Sequence, residues 1–118
     1  MSLSSQDCLF CKIVKKEIPS NEVAQNELAY AFNDINPVAN THVLVIPKQH
    51  IDNLHSLQND HKEALMAIVT LIQEVAEKKG VADSGYRVVV NIGPDALNSV
   101  GHLHFHVIGG RRLSWPPG

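Results

Sequence analysis

The stretch "GHLHFHVIGG", residues 101–110, places three histidines at alternate positions in an otherwise apolar run. Successive side chains of a β-strand point to opposite faces, so this pattern predicts a strand with one histidine face and one apolar face. On a helix the same spacing would spread the imidazoles over roughly 200° of arc. The two predicted faces are His102, His104 and His106 on one side, and Leu103, Phe105 and Val107 on the other.

The composition is that of an ordinary globular protein. The chain has 118 residues, of which 44% are hydrophobic, and this length suggests a single domain over residues 1–118. Ten Lys and Arg against 12 Asp and Glu give a formal charge of −2. The chain has no excess of basic residues, so nucleic acid is not predicted as a partner. No window approaches the run of about 18 apolar residues that would span a bilayer. These features predict a soluble cytoplasmic protein without membrane contact, in which residues 1–6 are flexible.

The rest of the chain predicts one long helix, one short helix and five strands. Apolar residues recur at helical spacing over residues 60–79, where Asp60 and Glu63 have the form of a capping box. A shorter helix is predicted in "DCLFCKIVKK", with Asp7 as its cap. The order of elements favours an α+β fold, in which the long helix packs on a mostly antiparallel sheet. The predicted strands are "EVAQ", "LAYAFND", "HVLVIP", "YRVVVNI" and "HLHFHVI".

Three imidazoles on one strand face suit two kinds of chemistry. Neutral imidazole is a nucleophile and a general base whose pKa lies near neutrality. It is also a zinc ligand, and three histidines hold the metal in some catalytic sites. A purely structural origin is disfavoured, because each buried ring needs a partner for its polar nitrogens. Spacing alone does not decide between nucleophile and ligand.

The residues around the three histidines resemble those of a known family. Residues 102–108 fit the signature His-φ-His-φ-His-φ-φ of the histidine triad (HIT) family, in which φ is apolar, at every position. The ending "GGRRLSWPPG" resembles the Hint branch, the nucleoside phosphoramidate hydrolases, which often close in Trp-Pro-Pro-Gly. The resemblance extends through "CLFCKIVKKEIPS", "AFNDINPVANTHVLVIPKQH" and "GYRVVVN", and so covers nearly the whole chain.

The resemblance implies a hydrolase that cleaves the P–N bond of purine nucleoside 5'-phosphoramidates, with aminoacyl adenylates as a further substrate class. In the family the middle histidine attacks the α-phosphorus and forms a covalent nucleotidyl-histidine, and His104 has this position here. By the same resemblance His106 contacts the phosphate oxygens, while His102 and His42 hold the relay and the tautomer of the attacking ring. Ser99 assists departure of the amine. No cofactor is required for this chemistry.

The same resemblance implies a binding site for a purine nucleotide of the AMP or GMP type. The acidic residue that accepts hydrogen bonds from the ribose in the family corresponds to Asp34, and the asparagine that contacts the phosphate corresponds to Asn91. The apolar side chains that enclose the base correspond to Ile35, Phe10 and Leu44. The C-terminal tryptophan that lies near the partner's active site corresponds to Trp115.

The family fold is a five-stranded antiparallel sheet with one long and one short helix, and this sheet continues across a homodimer. The apolar residues of the predicted long helix span more than one face, which suits a second contact surface for a partner helix. The resemblance therefore implies a homodimer.

The chain has only two cysteines, Cys8 and Cys11, which excludes a multi-bridge secreted framework and favours a reducing compartment. One interpretation is that both cysteines are small buried apolar side chains. A redox disulfide is less favoured without a thioredoxin-like context. In some bacterial members of the family such a pair joins two histidines around zinc. By that resemblance Cys8, Cys11, His50 and His102 are the candidate ligands of a structural zinc that orients the strand carrying His104.

One stretch, "PDALNS" at residues 94–99, departs from the family pattern. Leu97 stands where the Hint branch usually has a glycine, which would allow a positive φ or a close approach to phosphate. Asn98 stands in place of a glutamine, and the altered loop predicts weaker activity or another leaving group. The alternative functions are a dinucleoside polyphosphate hydrolase, which the Trp-Pro-Pro-Gly ending disfavours, a nucleotide-binding adaptor with little turnover, and a zinc-scaffold interaction module.

Overall fold

The computed structural model describes residues 7–118, so the expected flexibility of residues 1–6 lies outside the described part. Within it, five strands form one antiparallel sheet of order β1-β2-β3-β5-β4. The predicted α+β architecture is confirmed. The strands are β1 (Glu22–Gln25), β2 (Ala29–Asn33), β3 (Thr41–Pro47), β4 (Tyr86–Val89) and β5 (Phe105–Gly109). The helices are α1 (Leu9–Val14) and α2 (Lys62–Lys78), with 3-10 turns at Leu54–Ser56, Asn59–His61 and Pro94–Ala96.

Helix α2 covers one face of the sheet, where it packs across β1, β2 and β3. Its Ile68 and Leu71 are wholly buried and belong to the main apolar core. Leu103, Phe105 and Val107 belong to the same core, as alternate positions on one strand face predict. The apolar face predicted from residues 101–110 is therefore the face beneath α2.

Helix α1 covers the opposite face of the sheet. Phe10 and Cys11 of α1 pack with Phe32 of β2 and Leu44 of β3 in a second buried cluster. The rings of Phe10 and Phe32 meet edge to face, with centroids 5.5 Å apart. The ring of His104 also contacts Phe10, so α1 and the histidine face of the β5 segment lie on the same side of the sheet.

Strand β5 begins at Phe105 rather than at His102 as predicted. Its neighbour β3 ends at Pro47, whose carbonyl accepts a hydrogen bond from Nε2 of the His102 ring at 2.9 Å. The N–H of Leu103 donates instead to the carbonyl of Ile51 at 2.7 Å. The ladder therefore stops before the first two histidines, although the alternation of faces continues through them.

Both predicted helix caps, Asp7 and Asp60, are wrong. Helix α1 is capped by Cys8, whose Sγ accepts a hydrogen bond from the N–H of Cys11 at 3.4 Å. Helix α2 follows a 3-10 turn that ends at His61, whose Nδ1 accepts from a preceding main-chain N–H at 3.0 Å. A thiol therefore takes the capping place at α1, whereas at α2 the N-cap residue His61 makes no side-chain capping bond to the helix. The statistical preference for aspartate at these positions is only a tendency.

Strand β4 forms one edge of the described sheet, where its only neighbour is β5. Tyr86 and Val88 on this strand are exposed, as are Met66 and Val69 on α2. Exposed apolar side chains beside an unpaired strand edge are the kind of surface that proteins usually cover. Neither helix in residues 7–118 is long and apolar enough to cross a membrane.

Candidate active site and metal cluster

A cavity of about 300 Å³ lies between α1 and the histidine end of β5. Its wall is largely apolar and carries only a few polar side chains, which is typical of a small-molecule site. The predicted site residues that line it are Phe10, Asp34, Ile35, Leu44, Ser99, His104 and His106. Leu9, Ile13, Phe32 and Val100 complete the wall.

His104 is nearly buried, and its tautomer is set by the main chain. Its Nδ1 lies 2.8 Å from the carbonyl oxygen of His102. A carbonyl oxygen only accepts hydrogen bonds, so Nδ1 carries the proton and Nε2 of the neutral ring keeps its lone pair. The ring of Phe10 packs edge-on against this imidazole, with centroids 5.2 Å apart. The arrangement holds His104 in the tautomer that a nucleophile or base needs.

His106 is held in the opposite tautomer by a chain of two hydrogen bonds. The N–H of Val38 donates to Nδ1 of His42 at 3.1 Å, which leaves the proton of neutral His42 on Nε2. That Nε2 lies 2.9 Å from Nδ1 of His106 and donates to it. The proton of neutral His106 is therefore on Nε2, so this side chain offers a hydrogen-bond donor beside the lone pair of His104.

The roles predicted for His102 and His42 are divided by this geometry. His102 contacts His104 through its carbonyl oxygen, while its ring turns away toward Pro47 and the cysteines. His42 hydrogen-bonds His106, and its Nε2 also lies 3.4 Å from Oδ2 of Asp34.

Burial keeps the rings of His42 and His106 neutral. It lowers the pKa of His106 to about 4, and the nearby His104 and His42 add to this shift while Asp34 opposes it. The pKa of His42 is also lowered, again by burial, with Asp34 acting in the opposite direction. The proton chain from Val38 to His106 is therefore intact at neutral pH.

We expect the His106 ring to stay neutral down to about pH 5 in an NMR titration of the imidazole nitrogens, with added free imidazole as reference. Because the unfolded chain binds this proton at higher pH than the folded chain, the His106 contribution to stability is complete above about pH 6.5. It declines as the pH falls toward 4. Protonation of His106 near pH 6.5 in the folded protein would contradict the hydrogen-bond chain.

Four buried or half-buried side chains meet behind His104, and these are the predicted metal ligands. Their donor atoms all lie within 4.8 Å of one another, and the four residues are Cys8, Cys11, His50 and His102. Nδ1 of His102 lies 3.3 Å from Sγ of Cys8 and 3.5 Å from Sγ of Cys11, and Nδ1 of His50 lies 3.2 Å from Sγ of Cys11. These separations match the ligand edges of a tetrahedral zinc site, roughly 3.5 Å.

The outer nitrogens of both histidines in this cluster are also fixed. Nε2 of His50 lies 3.0 Å from Oδ1 of Asp52, and Nε2 of His102 lies 2.9 Å from the carbonyl of Pro47. Both partners accept, so Nδ1 of His102 turns its lone pair toward both sulfurs and Nδ1 of His50 turns its lone pair toward Sγ of Cys11. Burial lowers the pKa of His102 to about 4 and raises that of Cys11 to about 11. The donor set fits a thiophilic divalent cation without rearrangement.

A second group, Asp34, His42 and His106, is also compact enough for a cation. A metal on Nε2 of His42 would move the remaining proton to Nδ1, which faces the N–H of Val38. Two donors would then point at each other, so this group is suited to the hydrogen-bond chain and not to a metal.

The chain is similar to known proteins over most of its length. A family model described as the HIT domain matches residues 15–113. The chain belongs to the HIT family. The chain is 45% identical to a 14 kDa zinc-binding protein of Zea mays, over 98% of this chain and 91% of that protein. It is 38% identical to a purine nucleoside phosphoramidase of Escherichia coli K12, over 92% of each. The crystal structure of a HIT family hydrolase from Legionella pneumophila Philadelphia 1 matches with a TM-score of 0.92 and 41% identity, and covers 95% of this chain and 100% of that one.

Two predicted substrate-binding residues of this HIT protein lie outside the cavity of the single chain. Nδ2 of Asn91 donates to the carbonyl of Ala96 at 2.8 Å and so fixes the loop that leads to Ser99. Trp115 is 79% exposed, and its ring lies 5.9 Å from the guanidinium carbon of Arg87.

Leu97, at the position where the resemblance predicts a glycine, adopts a backbone conformation that glycine favours. It has φ 60° and ψ 38°, in the left-handed region, directly after the turn Pro94–Ala96. Its side chain is 85% exposed, so little packing offsets the strain of this conformation. Such strain is roughly 1–2 kcal/mol for a residue with a Cβ.

We expect Leu97→Gly to be more stable than the parent by up to about 1 kcal/mol, because the relief of strain exceeds the extra entropy of glycine in the unfolded chain. Leu97→Ala is the matched control, since it removes the same exposed side chain and keeps the Cβ. The urea midpoints of the three proteins measure the difference. Equal midpoints for the glycine and alanine variants would contradict strain at Leu97.

Leu9, Ile13 and Phe32 line the cavity and were not predicted from the sequence, although local patterns indicate them. Leu9 and Ile13 are four positions apart on α1, so they share one helix face. Phe32 pairs with Leu44 across β2 and β3, and opposite residues in a sheet lie on the same face. The spacing of α1 and the register of the hairpin were the signals for these positions.

Proposed function

We propose that this HIT protein hydrolyses the P–N bond of purine nucleoside 5'-phosphoramidates, with aminoacyl adenylates as a second substrate class, through a covalent nucleotidyl-His104 intermediate. One observation carries the proposal: His104 offers a lone pair on Nε2 beside the N–H that His106 offers on its own Nε2. The name of the Escherichia coli relative, purine nucleoside phosphoramidase, supports the substrate class.

In the first step Nε2 of His104 attacks the α-phosphorus and forms a new P–N bond, while the P–N bond to the amine breaks. The amine leaves with the bonding pair and takes a proton, which the Ser99 hydroxyl relays from water. Because Nδ1 keeps its proton, the nucleotidyl ring is an imidazolium whose charge faces the His102 carbonyl. A preorganised acceptor at this point stabilises the charge as it develops.

In the second step a water molecule attacks the same phosphorus, and the bond from phosphorus to Nε2 of His104 breaks. The bonding pair returns to the ring, and the proton lost by water passes to solvent. Imidazolium is a good leaving group because it departs as neutral imidazole. The Nδ1 contact with the His102 carbonyl keeps the proton on Nδ1, so the ring leaves as neutral imidazole and not as imidazolate.

The phosphate is held by donors at the inner end of the cavity. Nε2–H of His106 donates to a non-bridging phosphate oxygen, and its partner His42 fixes the proton in place. Asn91 acts through the loop that it ties to Ala96, which carries Ser99 toward the phosphate. Removal of one such donor typically reduces kcat by roughly 100- to 1000-fold.

The nucleoside lies in the apolar part of the cavity. Asp34 accepts from the ribose hydroxyls, since its side chain lines the cavity and each carboxylate oxygen can accept more than one hydrogen bond. Oδ1 accepts from the N–H of Asn36 at 2.8 Å, and Oδ2 lies 3.4 Å from Nε2 of His42. Phe10, Ile35 and Leu44 enclose the base. Apolar walls distinguish purines weakly, so AMP and GMP derivatives are both expected to bind.

The four donors of the cysteine and histidine cluster would hold a structural zinc ion and would leave no position for a catalytic water. The name of the Zea mays relative, a zinc-binding protein, supports this identity. Zinc in such a site supplies folding energy and rigidity, and the phosphoryl chemistry is carried by the chain's own histidines.

The exposed apolar side chains on α2 and the free edge of β4 form the interface of a homodimer. Pairing of two β4 edges extends the sheet across both subunits, and the partner subunit's Trp115 approaches the leaving-group side of the cavity. Sedimentation equilibrium at micromolar concentration is expected to give twice the chain mass of 13.0 kDa. A single-chain mass would contradict the homodimer.

The test of the proposed function is a comparison of substrates under the same conditions. Hydrolysis of an adenosine phosphoramidate with a fluorogenic amine is measured beside a diadenosine polyphosphate and beside AMP binding. A kcat/KM at least 100-fold higher for the phosphoramidate supports the proposal. Preference for the diadenosine compound, or AMP binding without turnover of either substrate, would overturn it in favour of a polyphosphate hydrolase or an adaptor.

A further inference from the structure

The metal cluster lies directly behind the proposed nucleotide site, and His102 belongs to both. The ring of His102 is wholly buried and directs Nδ1 at the two cysteines. Its own carbonyl oxygen accepts the hydrogen bond that sets the tautomer of His104. One residue therefore joins the metal ligands to the attacking imidazole without any intervening side chain.

Helix α1 makes a second connection between the two sites. It has six residues, begins after Cys8 and includes Cys11, so both cysteines of the cluster hold it. A helix of this length has no stability of its own in water, so its position depends on what holds it. Between the cysteines, Phe10 contacts His104 at 5.2 Å and His102 at 5.9 Å between ring centroids.

The same helix forms one wall of the cavity. Leu9, Phe10 and Ile13 all line it, and they are carried by the segment that the cysteines hold. A cation shared by Cys8, Cys11, His50 and His102 would fix α1 against the residues that precede β5. Without it, only apolar packing and weak thiol contacts hold these segments together.

We propose that a thiophilic cation bound by Cys8, Cys11, His50 and His102 increases the affinity of the cavity for a nucleoside monophosphate. Phe10 and His102 are the positioning residues that connect the cation to the cavity. This proposal rests on the proposed function, because it takes the cavity as the nucleotide site. Coupling between two binding sites is reciprocal, so the nucleotide must increase the affinity for the cation by the same factor. Binding at one coupled site commonly changes the affinity of the other by roughly 5- to 150-fold, and we expect a change of about tenfold here.

The experiment measures four dissociation constants with Zn²⁺ and AMP as probes. Calorimetry gives the AMP constant for zinc-loaded and chelator-treated protein, and competition with a chromophoric chelator gives the zinc constant with and without saturating AMP. We expect AMP to bind about tenfold more weakly to the metal-free chain, and zinc to bind about tenfold more weakly without AMP. Circular dichroism of the metal-free protein reports whether α2 and its core remain folded.

Each result has a distinct meaning. Equal AMP constants with and without zinc would overturn the coupling and leave the proposed function intact. Failure of AMP to bind the zinc-loaded protein would overturn both. If the metal-free chain unfolds, the pair of zinc constants decides alone: an AMP-dependent gain supports the coupling, and equal zinc constants overturn it.

Two variants separate positioning from general stability. Phe10→Leu keeps an apolar side chain in the buried apolar cluster between α1 and the sheet, and it loses the edge contact with His104. The tenfold effect of zinc on AMP affinity is therefore expected to shrink to about twofold or less. Tyr30→Phe is the matched control, because Tyr30 packs in the same buried cluster and does not line the cavity. A full tenfold effect in Phe10→Leu would remove Phe10 from the connection.

Discussion

Replacement of His104 by alanine is expected to reduce phosphoramidate hydrolysis by roughly 10³- to 10⁶-fold, the range seen when a covalent nucleophile is removed. The Nε2 lone pair that the His102 carbonyl orients has no substitute in the cavity, since the adjacent His106 presents an N–H there. AMP is expected to bind the variant with an affinity within a few-fold of the parent. Steady-state kinetics and calorimetry on the same preparation measure both quantities.

His55→Ala is the matched control for this substitution, because His55 is exposed and does not line the cavity. Its hydrolysis rate is expected to equal that of the parent. A loss of less than tenfold in His104→Ala would contradict nucleophilic catalysis at this residue. A simultaneous loss of AMP binding would instead indicate that the substitution disturbs the cavity.

Replacement of both Cys8 and Cys11 by alanine is expected to abolish zinc binding and to lower the free energy of unfolding by several kcal/mol. Alanine fills the buried sites without a sulfur donor, and the two imidazoles that remain hold zinc far more weakly than four ligands. For a chain of 118 residues each kcal/mol lowers Tm by roughly 4 °C, so a loss of several kcal/mol is expected to lower Tm by at least about 10 °C.

Chelator treatment of the parent protein separates loss of the metal from loss of the thiols. It is expected to lower Tm to near that of the double variant and to leave the Tm of the variant unchanged. Zinc analysis of the purified parent is expected to give one ion per chain. A parent protein without zinc, whose Tm a chelator does not alter, would contradict a structural metal at this cluster.

The alternation of residues 102–107 was sufficient to predict which side chains enter the core and which remain available for chemistry. Leu103, Phe105 and Val107 lie under α2, and His104 and His106 line the cavity on the other side. Periodicity decides the face of each side chain because it depends only on the backbone. It did not predict where the strand begins, because that depends on the contact of the His102 ring with Pro47.

The tautomers of the histidines could not be predicted from the sequence. They depend on which atom faces each ring nitrogen: a carbonyl at His104, and the N–H of Val38 at His42. Both partners are main-chain groups, and every residue type except proline carries both. The double use of His102, as ring and as carbonyl, is invisible in the sequence for the same reason.

At Leu97 the chain departs from the residue type that the family resemblance predicts. The glycine expected there would allow a positive φ or a close approach to phosphate, and Leu97 adopts a positive φ although it has a side chain. This left-handed residue lies two positions before Ser99, which lines the cavity.

The most direct test of the central claim is the stereochemistry at phosphorus. One diastereomer of an adenosine 5'-phosphorothioamidate is hydrolysed in ¹⁸O-labelled water, and the configuration of the labelled product is determined. Each in-line displacement inverts phosphorus, so attack by His104 followed by attack of water predicts net retention. Net inversion would mean that water displaces the amine directly, and it would contradict the covalent nucleotidyl-His104 intermediate.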